Sequence, residues 1–173
     1  MRWRRERPPA EAVAQLEPGE RVLTWGRTDE GAAVVATQRG IWVPGADGYR
    51  RVGWHQIDKA GWAEEALTLT EGRVIDGEPT FVEDLPARQW RLPEPGDIPK
   101  VVRARVNRSV AVTEHHDLRP GGGVRIVARR VSGRDGLTWM ARCDPGTDRR
   151  APSVQEQTRA LLADAQLRNA APS

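Results

Sequence analysis

The chain has 173 residues, 38% of them apolar, with 27 Lys and Arg against 24 Asp and Glu and a formal charge of +3. That length suffices for a real core; the near balance of intermixed charges excludes the concentrated basic footprint of a nucleic-acid binder, and a single cysteine excludes an internal disulfide framework. No apolar run approaches the ~20 residues of a membrane-spanning helix, and the basic opening runs into Pro8 and Pro9 rather than an apolar stretch, so no secretory signal is expected and the expected location is cytoplasmic.

Residues 1–9 are expected to form a disordered basic arm. At 10–16, Val13 and Leu16 lie three apart, as on one side of a short helix, and Pro18-Gly19 ends it. The stretch 21–62 then reads as a β-meander. Val22, Leu23 and Trp25 form a first strand, broken by the polar, Gly-flanked run 26–31. Val34 and Val35 centre a second strand at 33–37. Ile41, Trp42 and Val43 form a third, which Pro44 is expected to end because it cannot donate to a ladder. Gly45, Ala46, Asp47 and Gly48 are turn chemistry. Strand resumes at 49–54 and, after a bend at 56–58, runs to Trp62. Leu67 and Leu69 alternate in a short strand, 72–79 reads as a turn-rich link, and one or two further strands are expected around Phe81 and Trp90, interrupted at Leu85-Pro86.

The period then changes. Asp97 suits a helix cap and Pro99 the first turn, where a missing N–H costs nothing. Ile98, Val101, Val102 and Val106 recur at three and four, predicting an amphipathic helix over 98–107 with Lys100, Arg103 and Arg108 off the apolar stripe. Strands are predicted at 109–118, 124–131 and 137–143, the last with Leu137, Trp139, Ala141 and Cys143 on one face. Ser153 with Glu156 three residues later reads as a capping box. Val154, Leu161, Leu162 and Ala165 predict a helix over 154–168, and 169–173 should fray. Val22, Val35, Ile41, Trp54, Ile126, Trp139 and Leu161 are expected in one shared core closed by that last helix.

The segments GERVL at 19–23, VVATQRGIWV at 34–43 and RRVGWHQIDKAGW at 50–62 resemble the opening of GRAM and bacterial PH-type domains, and the whole chain resembles a group of small proteins of high-GC bacteria. The resemblance implies a mainly β (α+β) fold: a PH-like antiparallel barrel or bent sandwich of two meanders over 10–168, with a short internal helix and a closing C-terminal helix. The helix at 98–107 and the irregular 71–96 link are additions to the simple fold. PH domains that bind inositol phosphates use a basic loop between the first two strands. Here that loop has Arg27 against Asp29 and Glu30, so the resemblance does not bring phosphoinositide binding with it.

Among residues able to carry chemistry, His115 and His116 are adjacent in a predicted strand and so point to opposite faces; at most one can join His55. No metal-ligand spacing is present, and Cys143 lacks a CxxC partner and falls on the expected core face. Pro120-Gly121-Gly122-Gly123 precedes a strand and offers no helix N-terminus to a phosphate. Seven tryptophans against one Phe and one Tyr make Trp25, Trp42, Trp54, Trp62 and Trp139 the expected large core residues, with Trp3 and Trp90 outside regular strands. No catalytic, cofactor or metal residue is assigned. The sequence points to a non-enzymatic module that binds a protein or peptide partner, with Lys100, Arg103, Arg105, Arg108 and Trp90 as the candidate contact residues. A peripheral membrane module using the Arg/Trp arm is the alternative, with weak attachment expected from so few charges. An enzyme would need His55, one of His115 or His116, and Cys143 in one cleft.

Overall fold

Strand formers between Gly-rich turns fold the stretch 22–53 into four antiparallel strands, β1 (Val22–Arg27), β2 (Ala33–Thr37), β3 (Gly40–Gly45) and β4 (Gly48–Gly53), hydrogen-bonded in that order. This is a computed structural model that describes residues 7–170; Trp3 and the rest of 1–6, like 171–173, lie outside the described residues. Pro44 does not end β3: it pairs with Tyr49 and the ladder continues to Gly45 opposite Gly48. A 3-10 turn, Trp54–Gln56, leads to β5 (Ile57–Ala63), which pairs with the start of β6 (Ala66–Ile75). β6 is longer than the two leucines suggest and absorbs part of the expected link. β7 (Phe81–Asp84) and β8 (Arg88–Arg91) follow, and Trp90 lies within β8. Next come α2 (Ile98–Ser109), β9 (Val110–Asp117), β10 (Gly123–Arg129), β11 (Thr138–Cys143) and α3 (Pro152–Arg168); α1 is a single turn, Ala10–Val13.

The sequence reads as one domain over 10–168; the contacts of the chain separate into two compact units, each mainly β. The first comprises the chain through Glu71 and Pro86–Asn107, the second Gly72–Leu85 and the chain from Arg108. β6 serves both, its first residues pairing with β5 and β8 and its last with β7.

In the first unit the β1–β4 sheet is covered on both sides, which is why every residue of β2 is buried. Val34, Ala36, Ile41, Val43 and Val52 pack with Trp54, Ile57, Leu67, Leu69 and Leu92 and with Ile98, Val102 and Val106 of α2. The opposite face, Ala33, Val35 and Trp42, packs on Ala12, Leu16, Trp25 and Tyr49. In α1 it is Ala12, not Val13, that is buried. The predicted stripe of α2 is confirmed: its helix begins at Ile98, and the Asp97 carbonyl accepts the Val101 N–H at 2.9 Å.

In the second unit the strands run β7-β11-β10-β9, with β11 parallel to β7 and the others antiparallel. α3 packs Val154, Leu162 and Ala165 against Phe81, Leu118, Val124, Ile126 and Ala141. The seven residues expected in one core are therefore divided. Val22 is exposed, Val35 packs on one face of the first sheet, Ile41 and Trp54 on the other, and Ile126, Trp139 and Leu161 belong to the second unit. The helix packed into the first unit's core is α2, not the C-terminal one. The Ser153 cap is also corrected. Pro152, whose ring fixes φ, occupies the first helical position, so Ala151 is the cap residue and Ser153 sits inside the first turn.

The β5–β6 hairpin turns on Glu64 and Glu65, at φ 50° and 61°. Two positive φ values make the turn compatible with right-twisted strands, but Asn-Gly is the pair that adopts them without steric cost. Glu64→Asn with Glu65→Gly should therefore raise stability by roughly 1–2 kcal/mol, a gain read as a higher urea midpoint at unchanged slope. The lost Glu65–Arg91 pair, exposed on both sides at 3.3 Å, offsets little of this.

Candidate functional site

β5 lies at the end of its sheet. Among the described residues it pairs only with β6, so its outer edge keeps backbone donors and acceptors without a strand partner. Its last residues are small or exposed: Ala60, Gly61, Trp62 and Ala63. α2 lines the same opening with Pro99, Lys100, Arg103, Ala104 and Asn107. Between them lies an open groove of about 600 Å³, with Leu67 and Val102 among its lining residues. Trp62, expected in the core, is instead 38% exposed on the groove wall, because β5 outruns the apolar cluster that buries Ile57. A Cβ placed on Gly61 would meet nothing within 4 Å.

The groove carries one sign of charge. Its lining contains Lys100 and Arg103 and no Asp or Glu, and no ion pair joins either cation to a described carboxylate. Lys100 and Arg103, three apart on α2, share a face. Arg105 is half-buried and Arg108 exposed; neither lines the groove. Trp90 goes elsewhere in the same unit. Its indole N–H donates to the Pro44 carbonyl at 3.2 Å, the Arg88 guanidinium lies 5.2 Å from its ring centre, and it lines a hollow of about 270 Å³ with Asp29 and Glu30 of the β1–β2 turn. Two carboxylates on that wall disfavour an anionic headgroup. The five candidate contact residues thus contribute two, Lys100 and Arg103, to one surface. Sequence reasoning missed Gly61 and Trp62 as site residues; the strand running to Trp62 was predicted, but its edge position depends on pairings distant in the chain.

His55 belongs to the first unit. In the second, the register sets His115 opposite Arg125 and His116 opposite Val124, so the two rings leave opposite faces as adjacent strand residues must. His115 Nε2 lies 2.6 Å from Asp144 Oδ2, and His116 Nε2 lies 3.3 Å from Glu114 Oε2. Glu114 also accepts both Arg168 Nη atoms, at 3.0 and 2.8 Å, which holds its carboxyl below the usual range. Among the described residues no three His, Cys, Asp or Glu side chains are grouped to hold a metal ion.

Cys143, expected to be buried, is only half-buried because β11 ends there, although its inner side packs with the Ile126 and Ala141 cluster. Burial raises its thiol pKa above the ordinary value; Arg149 opposes the rise, and Asp144, Asp148 and Glu83 add to it. The thiolate is the reactive form. Alkylation of the native protein by iodoacetamide should accordingly be slow at neutral pH, and its rate should climb at a higher pH than that of the urea-unfolded chain. Coincident profiles would show that the fold leaves the thiol unperturbed.

No helix among the described residues is long and apolar enough to cross a membrane. No family model, curated protein or solved structure matches this chain.

Proposed function

We propose that the first unit is a PH-like module and that it binds a partner protein by adding an extended segment of that partner to β5. Supporting the fold reading is the element order within this unit: a four-stranded meander, three further strands (β5, β6 and β8) and a helix packed into their core, with residues 72–85 as an insertion between the last two strands. Supporting the function is one observation above the others: an outer edge of β5 that no described strand pairs, flanked by a helix that presents cations and no acid. An added strand gains its affinity from main-chain hydrogen bonds to the edge, and its specificity from alternate side chains directed at the wall. A lined groove beside the edge distinguishes this surface from a bare strand edge, which natural proteins blunt against aggregation.

Ala60→Pro gives the cleanest test. Counted from the Ala63–Ala66 pair that closes the two-residue turn, Ala60 opposite Leu69 falls at a non-hydrogen-bonded position, so its N–H points to the outer edge; proline removes that donor and is tolerated on an edge strand. Partners retained by the full chain from native lysate would be identified, and a linear peptide from each tested for competition. The proposal expects a partner that is competed by its own peptide and lost on Ala60→Pro, with the variant still unfolding cooperatively in urea. Partners retained equally by the variant would overturn it.

A further inference from the structure

We infer, on the strand-addition reading above, that the segment taken by the groove carries an acidic residue two positions from an aliphatic one, with the carboxylate shared between Lys100 and Arg103. In an added strand alternate side chains face the same way. Those directed inward meet the wall of α2 and the apolar lining of Leu67, Val102 and Trp62; those between them face solvent. The apolar lining favours an aliphatic inward residue, and covering Trp62 removes exposed apolar surface from water.

The spacing of the cations suits a single acid. Lys100 and Arg103 are three residues apart on a helix, an axial separation of about 4.5 Å, which one carboxylate bridges while accepting from both side chains. Arg103 supplies a planar fork and Lys100 a point charge. Like charges one turn apart repel each other in the free protein, and an anion between them relieves that repulsion. Asn107, one turn further along the same wall, adds a polar group of no charge.

Selection of random eight-residue peptides displayed on phage, against the full chain and against Ala60→Pro in parallel, tests both layers. The expected result is enrichment of sequences with Asp or Glu two positions from Val, Ile or Leu, seen with the parent and absent with Ala60→Pro. Synthetic versions of the enriched peptides should lose roughly tenfold or more in affinity when the acid becomes its amide, as expected for a charge-assisted contact. Lys100→Glu with Arg103→Glu should turn the selected preference from acidic to basic residues, a gain that misfolding cannot produce. Peptides lost on Ala60→Pro that lack the acid would overturn this inference and leave strand addition standing. No enrichment lost on Ala60→Pro would overturn both.

Discussion

Glu20→Ala should destabilise the protein by about 3 kcal/mol or more, the largest effect expected of any charged residue in the first unit. The Glu20 side chain has no exposed surface. One carboxylate oxygen accepts the Thr37 hydroxyl at 2.6 Å and the Trp42 indole N–H at 3.0 Å. The other accepts the Glu17 backbone N–H at 3.0 Å and lies 3.4 Å from Arg51 Nη1. The Arg51 guanidinium in turn covers the Trp42 ring at 5.7 Å and reaches Glu17 at 2.8 Å. Removing the carboxylate strands enclosed donors rather than merely deleting a contact, and that desolvation is the costly part. Glu20→Gln, which keeps an acceptor, should cost less. Both are read from urea unfolding, and an alanine variant within about 1 kcal/mol of the parent would mean that water replaces the carboxylate. Burial alone would raise the Glu20 pKa; the hydrogen bonds from Thr37, Glu17 and Trp42 and the charge of Arg51 outweigh it and leave the carboxyl below its ordinary value. Its contribution is thus fully present above the unfolded pKa and lost as pH falls through the lower folded one. The parent should lose stability on acidification more steeply than the glutamine variant.

Gly40→Ala should cost about 3 kcal/mol, at the upper end of overpacking effects. A Cβ on Gly40 would stand 2.3 Å from the Val52 carbonyl oxygen and 3.0 Å from its carbon. Both belong to backbone in the β3–β4 ladder, where Gly40 pairs with Gly53 and Ile41 with Val52, so no side-chain rotation relieves the overlap. The first turn of the ladder must open, close to Trp54, whose indole N–H donates to the Thr37 carbonyl at 3.0 Å. Gly61→Ala is the control: it also lies in a strand, its Cβ would meet nothing, and its stability should match the parent. Equal stability of the two variants would show that β3 and β4 shift apart without penalty.

Those two glycines mark the limit of what the chain discloses about itself. Where burial follows from local period, the sequence is legible: Ile98, Val102 and Val106 are the buried face of α2, and Trp139, Ala141 and Cys143 pack on one side of β11 as their alternation predicts, although Met140 between them and Arg129 of β10 are buried too. Where the outcome depends on a distant partner, it is not. Glu71-Gly72-Arg73 looks like a turn, yet continues β6 because Glu71 is held by two hydrogen bonds from Arg50, at 2.9 and 2.6 Å, and Arg73 pairs with Glu83. Ser153 and Glu156 make a sound capping box on paper, but Pro152 starts the helix two positions earlier. The cationic wall was half legible: Lys100 and Arg103 were visible as a helix face, while the edge strand opposite them was set by the pairing of β6 with both β5 and β8.

β6 belongs to both units, and this has a bearing on synthesis. The ribosome releases β1 to β5 and the first half of β6 well before β8 and α2, and in between it delivers β7, whose Phe81 packs with residues not yet made. A chain arrested after Asn107 holds every element of the first unit and also an apolar strand without its β11 neighbour. Until β11 emerges, Phe81 and Val82 lack residues that they pack against, a point in synthesis at which apolar surface stands open. Anyone dissecting the molecule meets the same constraint: no single cut yields the first unit cleanly, and its isolation requires joining Glu71 to Pro86 directly.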